Sequence, residues 1–281
     1  MRVGISLPVR EMAGDLGAIK AFAQAAEDLG LRHLRIPDQV IRPESGHLHE
    51  PLSLLCYLAA VTSHIELVPS VLVLPLRQTA LVARQTAALD VLSEGRLRLG
   101  IGVGANPAEY KAMGVDFHTR GVRCDEQLEV LHQLWTQPVV NFEGEYHHIE
   151  DNGIDPRPTR GAIPVWVGAR AIPSAPVIRR IGRWASGWFV LAAPEDYTGV
   201  KQAIDEAAVA AGRQPADIGT EAGVAVVGPR EAEWQSRVSN WHATGLTHLC
   251  LRTLGGGLAV DEHIGRMQTA MAELPVENAA Q

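Results

Sequence analysis

Short apolar runs alternate with longer amphipathic segments along most of the chain, and this alternation limits the possible folds more than any other feature. Eight runs predict buried strands, over residues 3–7, 33–36, 66–74, 96–102, 164–167, 187–191, 221–227 and 248–251. Apolar residues at helical spacing predict helices between them, over 16–29, 51–62, 79–92, 174–184, 195–211, 231–243 and 259–274. Strands that alternate with helices pair in parallel, and eight of them close into a (β/α)8 TIM barrel of the α/β class. The alternative is an open, doubly wound sheet.

The connection between the fourth and fifth predicted strands is much longer than the others. Residues 106–162 contain a predicted helix over 119–135 and a predicted hairpin over 139–149, far more than a strand-to-helix connection needs. In a barrel, an insertion that follows a strand lies over the C-terminal face, where active sites are built. We therefore predict a single domain over 1–275, with this insertion walling the site, and a frayed tail over 276–281.

Composition excludes several classes of function. The 281 residues carry 25 Lys and Arg against 32 Asp and Glu, a formal net charge of −7, which disfavours binding to nucleic acid. No run approaches the roughly 18 apolar residues of a membrane span, and residues 1–8 lack the features of a signal peptide. Cys56, Cys124 and Cys250 are odd in number and widely separated, which suits a reducing cytoplasm better than a disulfide framework. We expect a cytoplasmic protein with a small-molecule organic substrate.

One stretch of the chain is basic although the chain as a whole is acidic. Residues 156–194 contain no Asp, Glu or Lys but six arginines, so the rest of the chain carries −13: Arg157, Arg160, Arg170, Arg179, Arg180 and Arg183. Gly168, Ala169 and Arg170 end a predicted strand just before a helix, and free N–H groups at a helix N-terminus bind phosphate. We predict a phosphate site there. The helical arginines are expected instead to be exposed side chains paired with acids.

Two other strand ends carry signals that allow two interpretations, and a proline lies inside the third predicted strand. The run 100–106 (GIGVGAN) lacks the complete dinucleotide fingerprint, and its glycines either admit a flat ligand or serve tight packing. Asp38 either points into the barrel mouth or caps a turn. Pro69 removes a ladder hydrogen bond, so we expect a distortion in the third strand. His47, His49 and Glu50 could offer metal ligands, but no further ligand has suitable spacing, and we predict no metal site.

A set of short motifs occurs in the same order as in a known family. They are AAEDLG at 25–30, IPD at 36–38, SVLVLPL at 70–76, QTAALDVLSEGR at 85–96, LGIGVG at 99–104, MGV at 113–115, FEG at 142–144, PVWVG at 164–168 and ASGW at 185–188. On these motifs, which span about residues 1–190, the chain resembles the luciferase-like monooxygenase superfamily. It looks most like the branch that uses the deazaflavin coenzyme F420. The resemblance implies a TIM barrel that binds its flavin at the C-terminal face.

The resemblance also implies roles for individual residues. A bulge, often with a non-proline cis peptide, is implied at Ser70 and Val71, behind the flavin ring. Cofactor contacts are implied for the remaining residues at the strand ends: Asp38, Gly102, Val103, Gly104 and Asn106 for the ring or tail, and Gly168, Ala169 and Arg170 for the phosphate. The phosphate residues coincide with the basic stretch found independently from charge.

Two departures from the family pattern affect the expected chemistry. Many members that use F420 have histidine directly after the aspartate, whereas this chain has Gln39, whose amide cannot act as a base at neutral pH. Reduction of an activated double bond or imine is therefore expected rather than alcohol oxidation, with His47 or His49 as proton donor. We take Asp38, Gln39 and His47 as candidate catalytic residues. FMN-dependent luciferases carry an arginine near the position of Val103, so its absence favours F420 over FMN.

Three functions remain open from the sequence. The first is F420-dependent hydride transfer to or from a small organic substrate. The second is an FMN-dependent monooxygenase that uses reduced flavin and O2. The third is a non-catalytic barrel that only binds a flavin. Similar proteins are often dimers, so we expect a homodimer with neither a nucleic-acid nor a membrane partner.

Overall fold

The computed structural model of the protein describes residues 1–41, 46 and 48–278. Strands and helices alternate along the chain, as predicted. The strands are β1 (Arg2–Ser6), β2 (His33–Ile36), β3 (Glu66–Pro69), β4 (Leu72–Val73), β5 (Leu99–Gly102), β6 (Val140–Glu143), β7 (His148–Asn152), β8 (Val165–Gly168), β9 (Gly187–Val190), β10 (Gly219–Ala225) and β11 (His248–Arg252). The helices are α1 (Leu16–Asp28), α2 (Pro51–Val61), α3 (Thr79–Leu92), α4 (Pro107–Ala112), α5 (Arg120–Thr136), α6 (Ala175–Trp184), α7 (Pro194–Ala210), α8 (Trp234–Ala243) and α9 (Glu262–Ala272).

The main sheet curls into a nearly closed parallel barrel. Its strand order is β3-β2-β1-β11-β10-β9-β8-β5-β4, and the neighbours within it pair in parallel. β3 and β4 are two halves of one barrel strand, interrupted at residues 70–71. A parallel bridge between Leu67 and Leu97 brings β3 next to the segment that leads into β5. The predicted TIM barrel is confirmed, and the open doubly wound sheet is wrong.

Local sequence explains why the helices form and stop where they do. The carboxylate of Asp15 caps α1 by accepting a hydrogen bond from the Ala18 amide at 3.0 Å, and Gly30 ends the turn with a φ of +74°. The face of α1 that packs on the barrel carries Ile19 and Phe22, both fully buried. Burial of side chains of this size contributes about 1.5–3 kcal/mol each to folding.

The structure does not confirm the position predicted for the long connection between β5 and β8. α5 occupies the place of an ordinary barrel helix between α3 and α6, since the Trp135 indole donates to the Ala83 carbonyl at 3.2 Å. The hairpin of β6 and β7 lies against the flank of this helix. At the hairpin tip, the Glu126 carboxylate accepts bonds from the Tyr146 amide and the His147 ring, and that ring also bonds Thr79 on α3. The expectation that all of 106–162 walls the C-terminal face is therefore not confirmed.

The other differences lie at element ends and near the last described residue. α4 was not predicted, because six residues are too few to show helical periodicity. The tail expected to fray is held as far as Asn278, whose side chain accepts from the Val3 amide and donates to the Gly30 carbonyl, both at 2.9 Å. In the part of the chain that the structure describes, no helix combines the length and the apolar character needed to span a membrane.

Candidate active site

A kinked strand forms an apolar shelf at the C-terminal mouth of the barrel. The peptide bond between Ser70 and Val71 is cis, as the resemblance implied. Both residues are half-buried, whereas their neighbours at 67–69 and 72–76 are buried. We call residues 70–71 the shelf, because here the third barrel strand presents side chains to the open mouth.

The glycines at the ends of β5 and β8 are required by the shelf. A Cβ atom on Gly102 would lie 2.6 Å from a Val71 methyl group, and one on Gly168 would lie 2.7 Å from the other. Val71 therefore fills the space that side chains at these two positions would occupy. For Gly102, this contact agrees with the interpretation of tight packing, and Val71 lies between the two strand ends.

Asp38 fixes the backbone that follows the shelf. One carboxylate oxygen accepts bonds from the Val73 amide at 2.9 Å and from Arg77 at 2.8 Å, while the other accepts from Arg77 at 3.1 Å. The Asp38 side chain is only 1% exposed. Because both oxygens are occupied in this bidentate pair, the geometry gives Asp38 a positioning role at the end of β2.

The loop after β5 borders an open cavity of about 450 Å³ next to Asp38. Gly104 takes a φ of +64°, and Asn106 caps α4 by accepting from the Ala108 amide at 3.0 Å. The carbonyl of Val103 accepts the Tyr110 hydroxyl at 2.5 Å. The buried Glu109 carboxylate accepts from the Val40 amide at 3.1 Å, which ties the loop after β2 to α4.

Of the other two candidate catalytic residues, the structure describes Gln39 but not His47. Gln39 lines the same cavity as Asp38, and its side-chain oxygen accepts a bond from Arg10 at 3.4 Å. Its amide brings no proton-transfer chemistry to the site. His47 lies outside the described residues.

Of the arginines in the basic stretch, only some are available to a ligand. Arg180 is buried and pairs with Asp125 at 2.6 Å, and Arg183 pairs with Glu129 at 3.6 Å. These two agree with the expected pairing to acids. Arg170, just beyond β8, is exposed and has no hydrogen bond or ion pair to any residue that the structure describes. It follows Gly168 and Ala169 and precedes the start of α6, so the predicted phosphate residues lie together at one strand end.

The barrel interior holds a charge cluster that sequence reasoning missed. The buried carboxylate of Glu221 on β10 lies 2.8 Å from Arg35, 2.8 Å from Arg98 and 3.3 Å from His33. Arg35 also donates to the Ser70 hydroxyl at 2.9 Å. The cluster therefore connects the centre of the barrel to the shelf.

Electrostatics keeps this cluster charged. Burial alone would raise the pKa of Glu221, but His33, Arg98 and Arg35 together hold it well below its usual value. Burial opposes charge on His33, yet the neighbouring Glu221 carboxylate raises its pKa. His248 stays neutral, since burial and the Arg98 charge lower its pKa to about 2.

Three side chains in or beside this cluster lie close enough together to bind a metal ion, but the neighbouring arginines oppose a cation there. Ligand atoms of His33, Glu221 and Cys250 lie within 4.8 Å of one another, all buried. The Glu221 carboxylate is already bonded to two guanidinium groups, and their positive charge opposes a cation at the same place.

Comparison with known proteins agrees with this architecture. Residues 1–274 match the family described as luciferase-like monooxygenase. The monooxygenase RslO1 from Streptomyces bottropensis superposes with a TM-score of 0.81 at 21% identity, over 98% of both chains. The F420-dependent tetrahydromethanopterin reductase from Methanopyrus kandleri has a TM-score of 0.78 at 19% identity, over 97% of this chain and 98% of the other.

Relatives in sequence include enzymes of two kinds. An F420-dependent glucose-6-phosphate dehydrogenase of Kineococcus radiotolerans is 38% identical over 159 residues, 54% of this chain and 47% of the relative. The pyrimidine monooxygenase RutA of Allorhizobium ampelinum is 36% identical over 161 residues, 53% of this chain and 43% of the relative. An uncharacterised protein of Mycobacterium tuberculosis is 34% identical over 185 residues, 59% and 62% of the two chains. The chain thus matches less than two thirds of each relative's length. With the family match over nearly its whole length, the chain belongs to the luciferase-like monooxygenase family.

Proposed function

We propose that the protein is an F420-dependent oxidoreductase that transfers a hydride between the deazaflavin and a small organic substrate. The observation that carries the proposal is the shelf at Ser70 and Val71, set between two strand-end glycines at the mouth of the barrel. It offers an apolar surface beside an open cavity, as a flat tricyclic ring requires.

The residues around the shelf fit such a cofactor. Val71 is half-buried and would support one face of the ring, while Asp38 and Arg77 hold the backbone beside it. Arg170, Ala169 and the N-terminal N–H groups of α6 would bind the phosphate, because the guanidinium has no other partner in the described chain. When bound, the deazaflavin supplies a carrier that gives or takes two electrons as hydride. The chain's own share is to orient the reactants and to keep water away from them.

The side chains favour reduction of the substrate over oxidation of an alcohol. An alcohol needs a base to take its hydroxyl proton, and Gln39 cannot supply one. Asp38 is not free for this task, because both its oxygens accept hydrogen bonds. We therefore propose an activated double bond or an imine as the reacting group.

The named relatives support two candidate functions, of which we place the F420-dependent oxidoreductase first and the FMN-dependent monooxygenase second. The Kineococcus relative and the Methanopyrus structure are both named as F420-dependent. Val103 leaves an apolar side chain where FMN-dependent luciferases carry an arginine. The second candidate is an FMN-dependent monooxygenase, which the likeness to RutA and RslO1 supports.

Titration with oxidised F420 and, separately, with FMN tests the proposal by fluorescence. We expect F420 to bind more tightly, and Arg170→Ala to weaken its binding about 10- to 100-fold, as expected for loss of a charged hydrogen bond of about 1.5–3 kcal/mol. Arg179→Ala is the matched control: it removes an exposed arginine of the same basic stretch, and binding should stay within about twofold because charged side chains away from the ligand contribute little.

Each outcome of the titration separates the candidates. Tighter binding of FMN would favour the monooxygenase. Binding of neither cofactor would contradict the proposal. Reduced F420 that binds but is not oxidised by any of a panel of imines and activated alkenes would favour a barrel that only binds the cofactor.

A further inference from the structure

An arginine-lined cavity at the barrel mouth lies on the side opposite the shelf. This cavity, of about 560 Å³, lies at the C-terminal ends of β9 and β10, beside α8. In the barrel order, β10 is four strands away from β3 and β4 in either direction. Four arginines and two glutamates line it: Arg35, Arg230, Arg237, Arg252, Glu195 and Glu221.

Two of these arginines form no ion pair with a described residue. Glu221 is already bonded to Arg35 and Arg98, and Arg230 pairs with Glu233 at 2.5 Å. Arg237 and Arg252 have no ion pair or side-chain hydrogen bond to the residues for which the structure gives positions, and the Nε of Arg252 is buried without a partner. Burial and repulsion from Arg230 and Arg252 outweigh the attraction of Glu233 and lower the pKa of Arg237. A buried donor without a partner is rare in folded proteins and is explained when a ligand supplies the acceptor.

A second cavity joins the arginines to the shelf. This cavity, of about 190 Å³, is lined by Arg35 and Arg252, which also line the large cavity, and by Ser70. A molecule anchored at Arg252 can therefore reach across the mouth to the residue beside which hydride transfer is proposed.

We infer that the substrate carries an oxyanion, a phosphate or a carboxylate, which Arg237 and Arg252 bind while the reacting group lies over the shelf. This inference rests on the proposed function for the identity of the reaction. The anion site itself is inferred only from Arg237 and Arg252, which form no ion pair with a described residue. Guanidinium groups recognise both oxyanions through paired N–H donors, and neither Arg237 nor Arg252 has to give up an existing bond to do so.

Calorimetric titration with inorganic phosphate and with malonate, at constant ionic strength, tests the site in the absence of any cofactor. The titrations use the Arg170→Ala background, so that the phosphate site proposed beside α6 does not contribute, and in that background we expect one saturable site per chain. Arg237→Met and Arg252→Met should each weaken it about tenfold or more, as loss of a charge-assisted bond predicts, while the exposed, unpaired Arg84→Met should leave it unchanged. The melting temperature of both site variants should stay the same or rise, since neither side chain bonds another described residue. The better of the two anions identifies the substrate's group.

Repeating the titration with F420 present separates the substrate from the cofactor. We expect phosphate and F420 to bind together, with an F420 dissociation constant unchanged within about twofold in Arg237→Met, since the side chain lies across the mouth from the shelf. Competition between phosphate and F420 would assign the arginines to the cofactor and overturn the inference. Absence of saturable anion binding, or binding that both variants retain, would also overturn it. Failure of F420 to bind while phosphate binds would contradict only the proposed function.

Discussion

Glu221→Gln is expected to lower the free energy of unfolding by about 3–5 kcal/mol, because it removes the carboxylate that two guanidinium groups in the barrel interior share. Arg98 keeps a second partner, the half-buried Glu66 at 3.2 Å. Arg35 and Arg98 each lie 2.8 Å from the Glu221 carboxylate, and Arg98 is 4% exposed. Their planar groups also stack on rings, Arg35 over Phe189 at 4.7 Å and Arg98 over Trp166 at 4.4 Å, so neither can turn outward without losing packing. Urea unfolding measures the loss.

The effect of Glu221→Gln should depend on pH in a defined direction. The pKa of Glu221 is lower in the folded protein than its usual 4.5, so the folded state binds fewer protons than the unfolded state. Its stabilisation is therefore fully present above about pH 5 and is lost as the pH falls below 4.5 toward the folded pKa. We expect the difference between wild type and Glu221→Gln to shrink across that acidic range.

A surface glutamate provides the control for this variant. Glu150 on β7 is exposed, and its side chain bonds no described residue. Glu150→Gln should change the free energy of unfolding by less than about 0.5 kcal/mol, as surface substitutions do. A loss below about 1 kcal/mol for Glu221→Gln would show that the cluster does not hold the barrel interior together.

Gly102→Ala is the second substitution with a large expected effect, and it acts on both stability and cofactor binding. The new Cβ would lie 2.6 Å from a Val71 methyl group, which forces the shelf to move. Overpacking of this kind lowers stability by about 1–3 kcal/mol. A displaced shelf should weaken F420 binding about tenfold or more, as small misplacements at a site do. Thermal unfolding and fluorescence titration measure the two effects.

A double variant distinguishes this clash from a general effect of alanine. Combining Gly102→Ala with Val71→Ala removes the clashing methyl group. The Cβ that remains at position 71 would lie 3.5 Å from the new Cβ at position 102, which is an ordinary contact distance. Stability should recover relative to Gly102→Ala, while cofactor binding should stay weak because the apolar shelf is missing. Gly199→Ala, on α7 with open space around it, should be neutral or stabilising by up to about 1 kcal/mol. Equal losses in the two glycine variants would contradict the packing role assigned to Gly102.

The sequence predicted the barrel and its open end better than it predicted the barrel's interior. Apolar periodicity located the eight barrel strands, and the charge pattern located Arg170 at a strand end next to Gly168. The interior cluster was missed because its members come from three segments that are far apart in the chain and form no motif: His33 and Arg35 from β2, Arg98 from just before β5, and Glu221 from β10. One signal was present: Arg35 stands between Leu34 and Ile36 within a buried strand, and a charged residue there must be paired.

The position of the hairpin and the role of Asp38 depend on contacts that no local pattern contains. The hairpin lies against α5 because Glu126 bonds its tip, and Glu126 looks like any exposed helical glutamate in the sequence. Asp38 was expected at the mouth, and it is there. Its pairing with Arg77, which lies 39 residues later, is visible only in the folded chain.

A crystal structure of the protein with oxidised F420 would show where the cofactor binds. We expect the deazaflavin ring to pack on Val71 between the ends of β5 and β8, with its phosphate bonded by Arg170 and the backbone of residues 168–170. A ring bound elsewhere, for example in the arginine-lined cavity beneath Arg237 and Arg252, with Ser70 and Val71 untouched, would contradict this expectation.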